Sequence, residues 1–256
     1  MSGPAGPGEV VRAIVLRTRP LGDADLVAVL LTAGGKVEAA ASQARSSKRR
    51  FPGGLTVGMR GEATLSRGRG ALLRLGAFEA EAGHAVIGQD LARFAYVAYV
   101  CELTDELVPH REEDPRLFAE VERTLVALCA GAPQAAELRR FELGLLDALG
   151  LLPALDRCCV CGDALEGPLR AFDGGRGGGL CGAHGRGAPT VAAEVLGLAG
   201  ALAERGAVDE AIAAAPGVRR ALRDLCVGLV RAHLRRPLRS QAFLAQLPRE
   251  VVGSGA

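Results

Sequence analysis

The sequence predicts a multidomain protein of the α+β class: five strands closing a small barrel, then an all-α body with a cysteine-bearing insert. Three observations carry this. Residues 9–82 consist of short β-like runs split by glycine turns. From about residue 91 the apolar period changes to that of helices, and residues 156–187 are rich in glycine and cysteine without either period. Composition agrees, since 49% hydrophobic and 23% charged residues over 256 positions suffice for folded domains and exclude a disordered polyanion or polycation.

The five strand-like runs are VVRAIVLRT, DLVAVLLT, KVEAAAS, TVGMRGEATLS and ALLRLGAFEAE. Glycines at AGGK (33–36) and RGRG (67–70) supply the positive φ that tight hairpins need. Five strands in about 75 residues suit a small barrel such as the OB-fold, a common host of single-stranded nucleic acid. An SH3-like barrel has similar strand spacing, and strand count alone leaves both open.

The helical part opens with LARFAYVAYVCELTDELV, where Leu91, Phe94, Tyr96, Val97, Val100, Cys101 and Leu107 form a broad stripe. A second helix follows Asp114 and Pro115, a capping residue and a first-turn proline. A third ends at Gly150. TVAAEVLGLAGALAERG and PGVRRALRDLCVGLVRAHLRR read as further helices beyond the insert. The expected division is residues 1–82 as barrel and 83–256 as helical domain, interrupted at 156–187. Neither a leader sequence nor a spanning helix is evident, so a cytoplasmic location is expected.

In a reducing compartment seven cysteines favour metal over disulfides. Cys158 and Cys161 stand as C-x2-C, and Cys181 and His184 as C-x2-H nineteen residues on, a ligand set suited to tetrahedral zinc. Four protein ligands leave no open coordination position, so the expected zinc is a structural staple for an insert too poor in apolar residues to build its own core. Cys159 is one residue too close to Cys161 for a knuckle and reads as a spare thiol. A redox pair and an empty knuckle are the alternatives.

Net charge is +2, but residues 1–82 hold twelve Lys/Arg against seven Asp/Glu. Arg45, Lys48, Arg49 and Arg50 gather in ARSSKRRF, with Arg17, Arg19, Lys36, Arg67, Arg69 and Arg74 nearby in sequence. Such a cluster suits phosphate oxygens, giving sequence-tolerant, salt-dependent binding; a solvated loop is the bland alternative. Phe51 is placed to stack a base, whereas Phe78 reads as barrel filling. No nucleotide-binding loop, nucleophile elbow or paired catalytic acid is present, so no enzyme is expected.

The stretch from Val15 to Leu55, with Gly22–Asp25, Thr32–Lys36 and Ala44–Arg50, resembles the N-terminus of the bacterial recombination-mediator family RecO. RFELGLLDALGLLPALDRCCVCG (140–162) resembles that family's central signature and LRSQAFLAQL (238–247) its terminal helix. The resemblance implies an N-terminal OB-fold, a helical domain and an embedded zinc element. It also implies a non-enzymatic role in the RecF pathway: binding single- and double-stranded DNA, annealing complementary strands, and acting with RecR to place RecA on strands coated by single-strand-binding protein (SSB).

Carried over, Arg45, Lys48, Arg49 and Arg50 become DNA contacts, with Lys36 a lesser one. Arg231, Arg235, Arg236 and Arg239 become candidates for the acidic SSB tail. The sequence departs from the pattern in using His184 where many relatives carry cysteine, and in having twenty-nine arginines against two lysines. The rival class is a zinc-stapled adaptor whose basic loop reads an acidic protein. A zinc-ribbon transcription factor fits less well, because between residues 158 and 184 Arg170 and Arg176 are balanced by Asp163, Glu166 and Asp173.

Overall fold

The structure is a computed structural model that describes residues 8–68, 72–110 and 113–247. Its described residues divide into two compact units, those within Met1–Pro133 and Leu238–Gln246 and those within Gln134–Pro237 and Leu247–Ala256. This is a different cut from the one expected after residue 82. A change of period marks where the type of element switches, whereas compactness follows contacts, and these group three helices with the barrel.

The first unit is built on a closed barrel of β1 (Glu9–Leu21), β2 (Asp25–Thr32), β3 (Gly35–Ala41), β4 (Arg60–Ser66) and β5 (Leu73–Ala80). The strand order is β1-β2-β3-β5-β4, with β1 returning to β4 and a parallel β3–β5 pair at Ala39↔Leu73. This OB-like order decides the question that strand count left open. A bulge in β1 between Val15 and Arg17 lets the long strand pair with β2 on one side and β4 on the other. Of the two turn signals, AGGK forms the β2–β3 hairpin, with Thr32 opposite Gly35. In RGRG, Arg69 and Gly70 lie outside the described residues.

Alternate side chains fill the barrel, among them Val15, Leu26, Ala28, Leu30, Leu65, Leu75 and Phe78. The other faces of β1 and β2 are also buried, at Ile14, Leu16, Val27, Val29 and Leu31. Helix α1 (Leu91–Leu107) packs on β1, and α2 (Pro115–Ala130) on β2. That is why DLVAVLLT is a continuous apolar run and not an alternating one. Gly58 is required here: its φ is +81°, and a Cβ would stand 2.2 Å from Val97 of α1.

On α1 the expected stripe shifts. Tyr96, Val97, Val100 and Cys101 are buried together with Tyr99 and Leu103, but Leu91 and Phe94 are exposed. Phe94 meets Phe243 of α7 (Arg239–Gln246) edge-on, ring centroids 6.5 Å apart. The carboxylate of Glu102 accepts from the backbone N–H groups of Arg239 and Ser240 at 3.1 and 2.8 Å, closing the start of α7 from a different helix. Asp114 caps α2 as expected, accepting from the N–H groups of Arg116 and Leu117.

The second unit packs α3 (Ala135–Ala148) against α4 (Ala193–Arg205), α5 (Val208–Ala213) and α6 (Pro216–His233). Arg139 and Glu142 form a buried pair at 3.1 Å on α3, beside Cys226 of α6, whose thiol is pushed up by burial and then by the Glu142 charge. Between α3 and α4 the insert forms a three-stranded sheet, β7-β6-β8, of β6 (Leu169–Asp173), β7 (Gly178–Leu180) and β8 (Thr190–Ala192). Within residues 156–187 Leu165, Phe172 and Leu180 are buried, as is Leu155 just before them. Gly178 and Gly179 allow that packing, since a Cβ on either would stand 2.3 Å from Ala154 O or Leu165 Cδ1. No described helix is long and apolar enough to cross a membrane.

Candidate functional site

Two constellations stand out, one in each unit. In the first, the segment between β3 and β4 turns back over the barrel. The Asp25 carboxylate accepts from the Gln43 N–H at 2.7 Å, which holds Gln43 at a φ of +55°, and the Arg45 N–H donates to Ala24 O at 3.1 Å. Farther along, the Phe51 N–H donates to Ser47 O, and Phe78 of β5 donates its N–H to Arg50 O. The loop is therefore tied to the β1–β2 turn at one end and to β5 at the other.

This folding separates the cations by role. Arg45, Lys48 and Arg49 are exposed, and among the described residues none of them has a carboxylate partner. The Arg45 guanidinium donates to Asp23 O at 3.4 Å. Arg50 is half-buried and turned inward, donating to Ser42 O at 3.0 Å and lying 5.7 Å from the centre of the Phe51 ring. Arg67 and Arg74 are exposed, while Arg69 lies outside the described residues.

Three expectations change here. Phe51 is only 2% exposed and belongs to the barrel core, so its ring is not a platform for a base; Phe78 fills the barrel as expected. Lys36 is 3% exposed, and its ammonium is held by the backbone carbonyl of Asp105 and, at 3.3 Å, by the Asp105 carboxylate. Lys36 therefore leaves the set of accessible cations. Arg17 is bound by the same carboxylate at 2.6 Å, and Arg19 lies 3.8 Å from Glu38. An open groove of about 820 Å³ runs beside the loop, with Arg45 and Lys48 among its lining residues. Sequence reasoning missed this groove, which arises only where the loop meets β1 and β2.

In the second unit, Cys158, Cys161, Cys181 and His184 converge, their ligand atoms all within 4.8 Å of one another. Cys158 Sγ and Cys181 Sγ lie 3.6 and 3.2 Å from His184 Nδ1, and Cys161 Sγ lies 3.7 Å from Cys181 Sγ. A tetrahedral zinc with bonds of about 2.0–2.3 Å sets its donors about 3.6–3.8 Å apart; the Cys158–His184 and Cys161–Cys181 separations meet that, the Cys181–His184 one is shorter, and the four together form a cluster that could hold the ion. Backbone N–H groups of Cys161 and then Cys181 hold the Cys158 thiol down to about 6, while the neighbouring Cys161 thiol is raised to about 12, so the two share their protons unevenly.

Tight turns present the ligands: the Gly162 N–H donates to Cys158 O, and the Gly185 N–H to Cys181 O. Cys159 faces elsewhere, its Sγ 3.3 Å from Arg176 O. If zinc is held there, it cross-links two loops of the insert and offers no position for a substrate.

Of the expected tail-binding arginines, Arg231, Arg235, Arg236 and Arg239 are all exposed. Arg231 lies in the last turn of α6, and Arg235 and Arg236 follow it in the same unit; Arg239 belongs to the other.

Comparison with known proteins adds a separate line of observation. Residues 9–82 match the family model described as recombination protein O N terminal, and residues 88–242 match recombination protein O C terminal. The chain is 40% identical over 243 residues to the DNA repair protein RecO of Anaeromyxobacter dehalogenans (strain 2CP-C), covering 91% of this chain and 94% of that one. It is 37% identical to the protein of the same name in Myxococcus xanthus and 34% to that in Geobacter sulfurreducens, covering 92% of this chain and 96% of each relative. With both halves matched and identity sustained over nine-tenths of its length, this chain belongs to the RecO family and is a DNA repair protein of that family.

Proposed function

We propose that this protein is a non-enzymatic recombination mediator of the RecF pathway, acting in the cytoplasm on the nucleoid. It binds single- and double-stranded DNA, anneals complementary strands, and acts with RecR in placing RecA on SSB-coated strands. The observation that carries this is the trio Arg45, Lys48 and Arg49: exposed, without a carboxylate partner among the described residues, and held on a tied loop over an OB-like barrel. Cations in that state release counterions from a phosphate backbone, and neutralising two strands together lowers the repulsion opposing their pairing. No covalent step is involved.

Zinc in the Cys158–Cys161–Cys181–His184 set serves as a structural staple in this reading. The acidic SSB tail docks on the basic end of α6, at Arg231, Arg235 and Arg236. Arg235→Glu with Arg236→Glu is expected to abolish binding of a labelled tail peptide while sparing DNA binding; the reverse pattern overturns that docking site.

Annealing of dye- and quencher-labelled complementary oligonucleotides tests the main reading. The wild type is expected to accelerate pairing, and Arg45→Ala, Lys48→Ala and Arg49→Ala combined to remove at least about tenfold of that gain through lost phosphate contacts. A wild type that leaves the spontaneous rate unchanged overturns the annealing role.

A further inference from the structure

We propose that Cys161 and Cys181 form a modification site, oxidised by hydroperoxides to a disulfide that releases bound zinc yet keeps the two ligand turns of the insert joined. The zinc reading enters only through the metal release; the disulfide itself rests on where the two sulfurs stand.

Their positions set them apart from the other thiols. Cys161 Sγ lies 3.7 Å from Cys181 Sγ. Cys161 is exposed and Cys181 half-buried, whereas Cys158 is buried beside His184 Nδ1. The turns that carry the pair stand open: Val160 is 57% exposed, and a Cβ on Gly162 or Gly182 would meet nothing within 4 Å. A small oxidant therefore reaches Cys161 first, with Cys181 as the adjacent partner. Cys159 points its sulfur toward Arg176 O, away from the pair.

The chemistry takes two steps. The Cys161 sulfur attacks one oxygen of the hydroperoxide and the O–O bond breaks, leaving a sulfenic acid on Cys161 and an alcohol, or water where the oxidant is hydrogen peroxide. The Cys181 sulfur then attacks the Cys161 sulfur. An S–S bond forms, the S–O bond breaks, and the hydroxyl leaves as water with the Cys181 proton. Each sulfur gives up one electron, and the peroxide takes both. Closing 3.7 Å to a bond of about 2 Å asks for a shift in two short turns, each with a glycine directly after its cysteine.

Once paired, the two sulfurs no longer serve as thiolate ligands. Cys158 and His184 alone make too small a set for zinc, so the metal leaves. The disulfide joins the same two turns that zinc would join, closing a loop of about twenty residues. One staple is exchanged for another. A disulfide inside the first turn, Cys158 to Cys161, would leave the turns apart, so connectivity decides the matter.

The experiment treats the zinc-loaded full chain with graded hydrogen peroxide, reading zinc release with a chromogenic chelator and connectivity by peptide mass spectrometry after trypsin. The expected product links peptide 158–170 to peptide 177–186 through Cys161 and Cys181, rises in step with zinc release, and is reversed by dithiothreitol. Cys159→Ser, which leaves all four ligands in place, is expected to give the same link. Protease cleavage within 156–187 is expected to be at least about tenfold slower in the oxidised, metal-free protein than in the reduced, metal-free protein.

A link through Cys158 or Cys159, or oxidation to sulfinic acid without a link, overturns the proposal. So does an oxidised insert cut as fast as the reduced, metal-free one. A chain that takes up no zinc is a different failure, that of the zinc reading, and the link formed in metal-free protein then decides the proposal by itself.

Discussion

Lys36 and Lys48, the two lysines of the chain, have opposite surroundings. Lys48 is exposed on the basic loop, whereas Lys36 is buried against Asp105, which also binds Arg17. Removing one partner of a buried pair strands the other charge, at a cost of about 3–5 kcal/mol, and Arg17 keeps this case near the lower end. Lys36→Ala is therefore expected to lower the urea midpoint by an amount equivalent to roughly 3 kcal/mol and to leave the salt slope of DNA binding unchanged. Unaltered stability with a reduced slope would return Lys36 to the DNA contacts. The sequence could not reveal this, because a hairpin lysine looks exposed and its partner lies 69 positions away.

The thiols divide by surroundings in the same manner. Burial pushes Cys101 up to about 12, so it stays protonated and unreactive near neutrality, and Cys226 is raised in the same direction. Brief alkylation of the native, zinc-loaded protein at pH 8, read by peptide mass spectrometry, is expected to label Cys159 and to spare Cys101 and Cys226. Labelling of Cys101 before denaturation would contradict its burial on the inner side of α1. Their core role was legible as helical apolar spacing, and that of Cys159 as its awkward distance from Cys161.

At the scale of elements, α7 is a short helix whose start is closed by Glu102 and whose side is touched by Phe94. An eight-residue helix is marginal alone, so its position depends on these contacts. Glu102→Ala is expected to cost about 0.5–2 kcal/mol, the range for a lost cap, and to speed proteolysis near residues 239–246 before the barrel is cut. Equal cleavage rates in variant and wild type would show that α7 is held by other means.

The insert is another element, whose folding would become conditional on metal if the Cys158–Cys161–Cys181–His184 set holds zinc. Chelation, or Cys181→Ser, is expected to open residues 156–187 to protease while the helices around it persist. An insert equally protected without metal would mean that Leu155, Leu165, Phe172 and Leu180 suffice to hold it. The ligand spacing was readable from sequence because each pair must share one turn. The strands β6, β7 and β8 were not: three to five residues are too few to carry a period, and their pairing partners are separated from them in sequence.

Across the whole molecule, the barrel and the long helices were legible because their apolar periods are imposed locally by strand and helix geometry. The groove, the inward turn of Arg50 and the grouping of α1, α2 and α7 with the barrel were not, since each depends on segments far apart in sequence meeting. Excess positive charge in residues 1–82 was visible at once, but its availability was not. Carboxylates bind Arg12, Arg17 and Lys36, while Arg45, Lys48 and Arg49 are exposed and have no carboxylate partner among the described residues.

That distribution makes a quantitative demand on the intact, zinc-loaded protein. Anisotropy of a labelled single strand should be followed over a salt series for the wild type and for Arg45, Lys48 and Arg49 replaced together by alanine, with zinc measured on both. The wild type is expected to lose affinity steeply with salt, and the variant's log–log slope to be shallower by roughly 2, at about 0.7 per phosphate contact. Equal slopes and affinities for the two proteins, both with full zinc, would contradict the assignment of the basic loop as the DNA-binding surface.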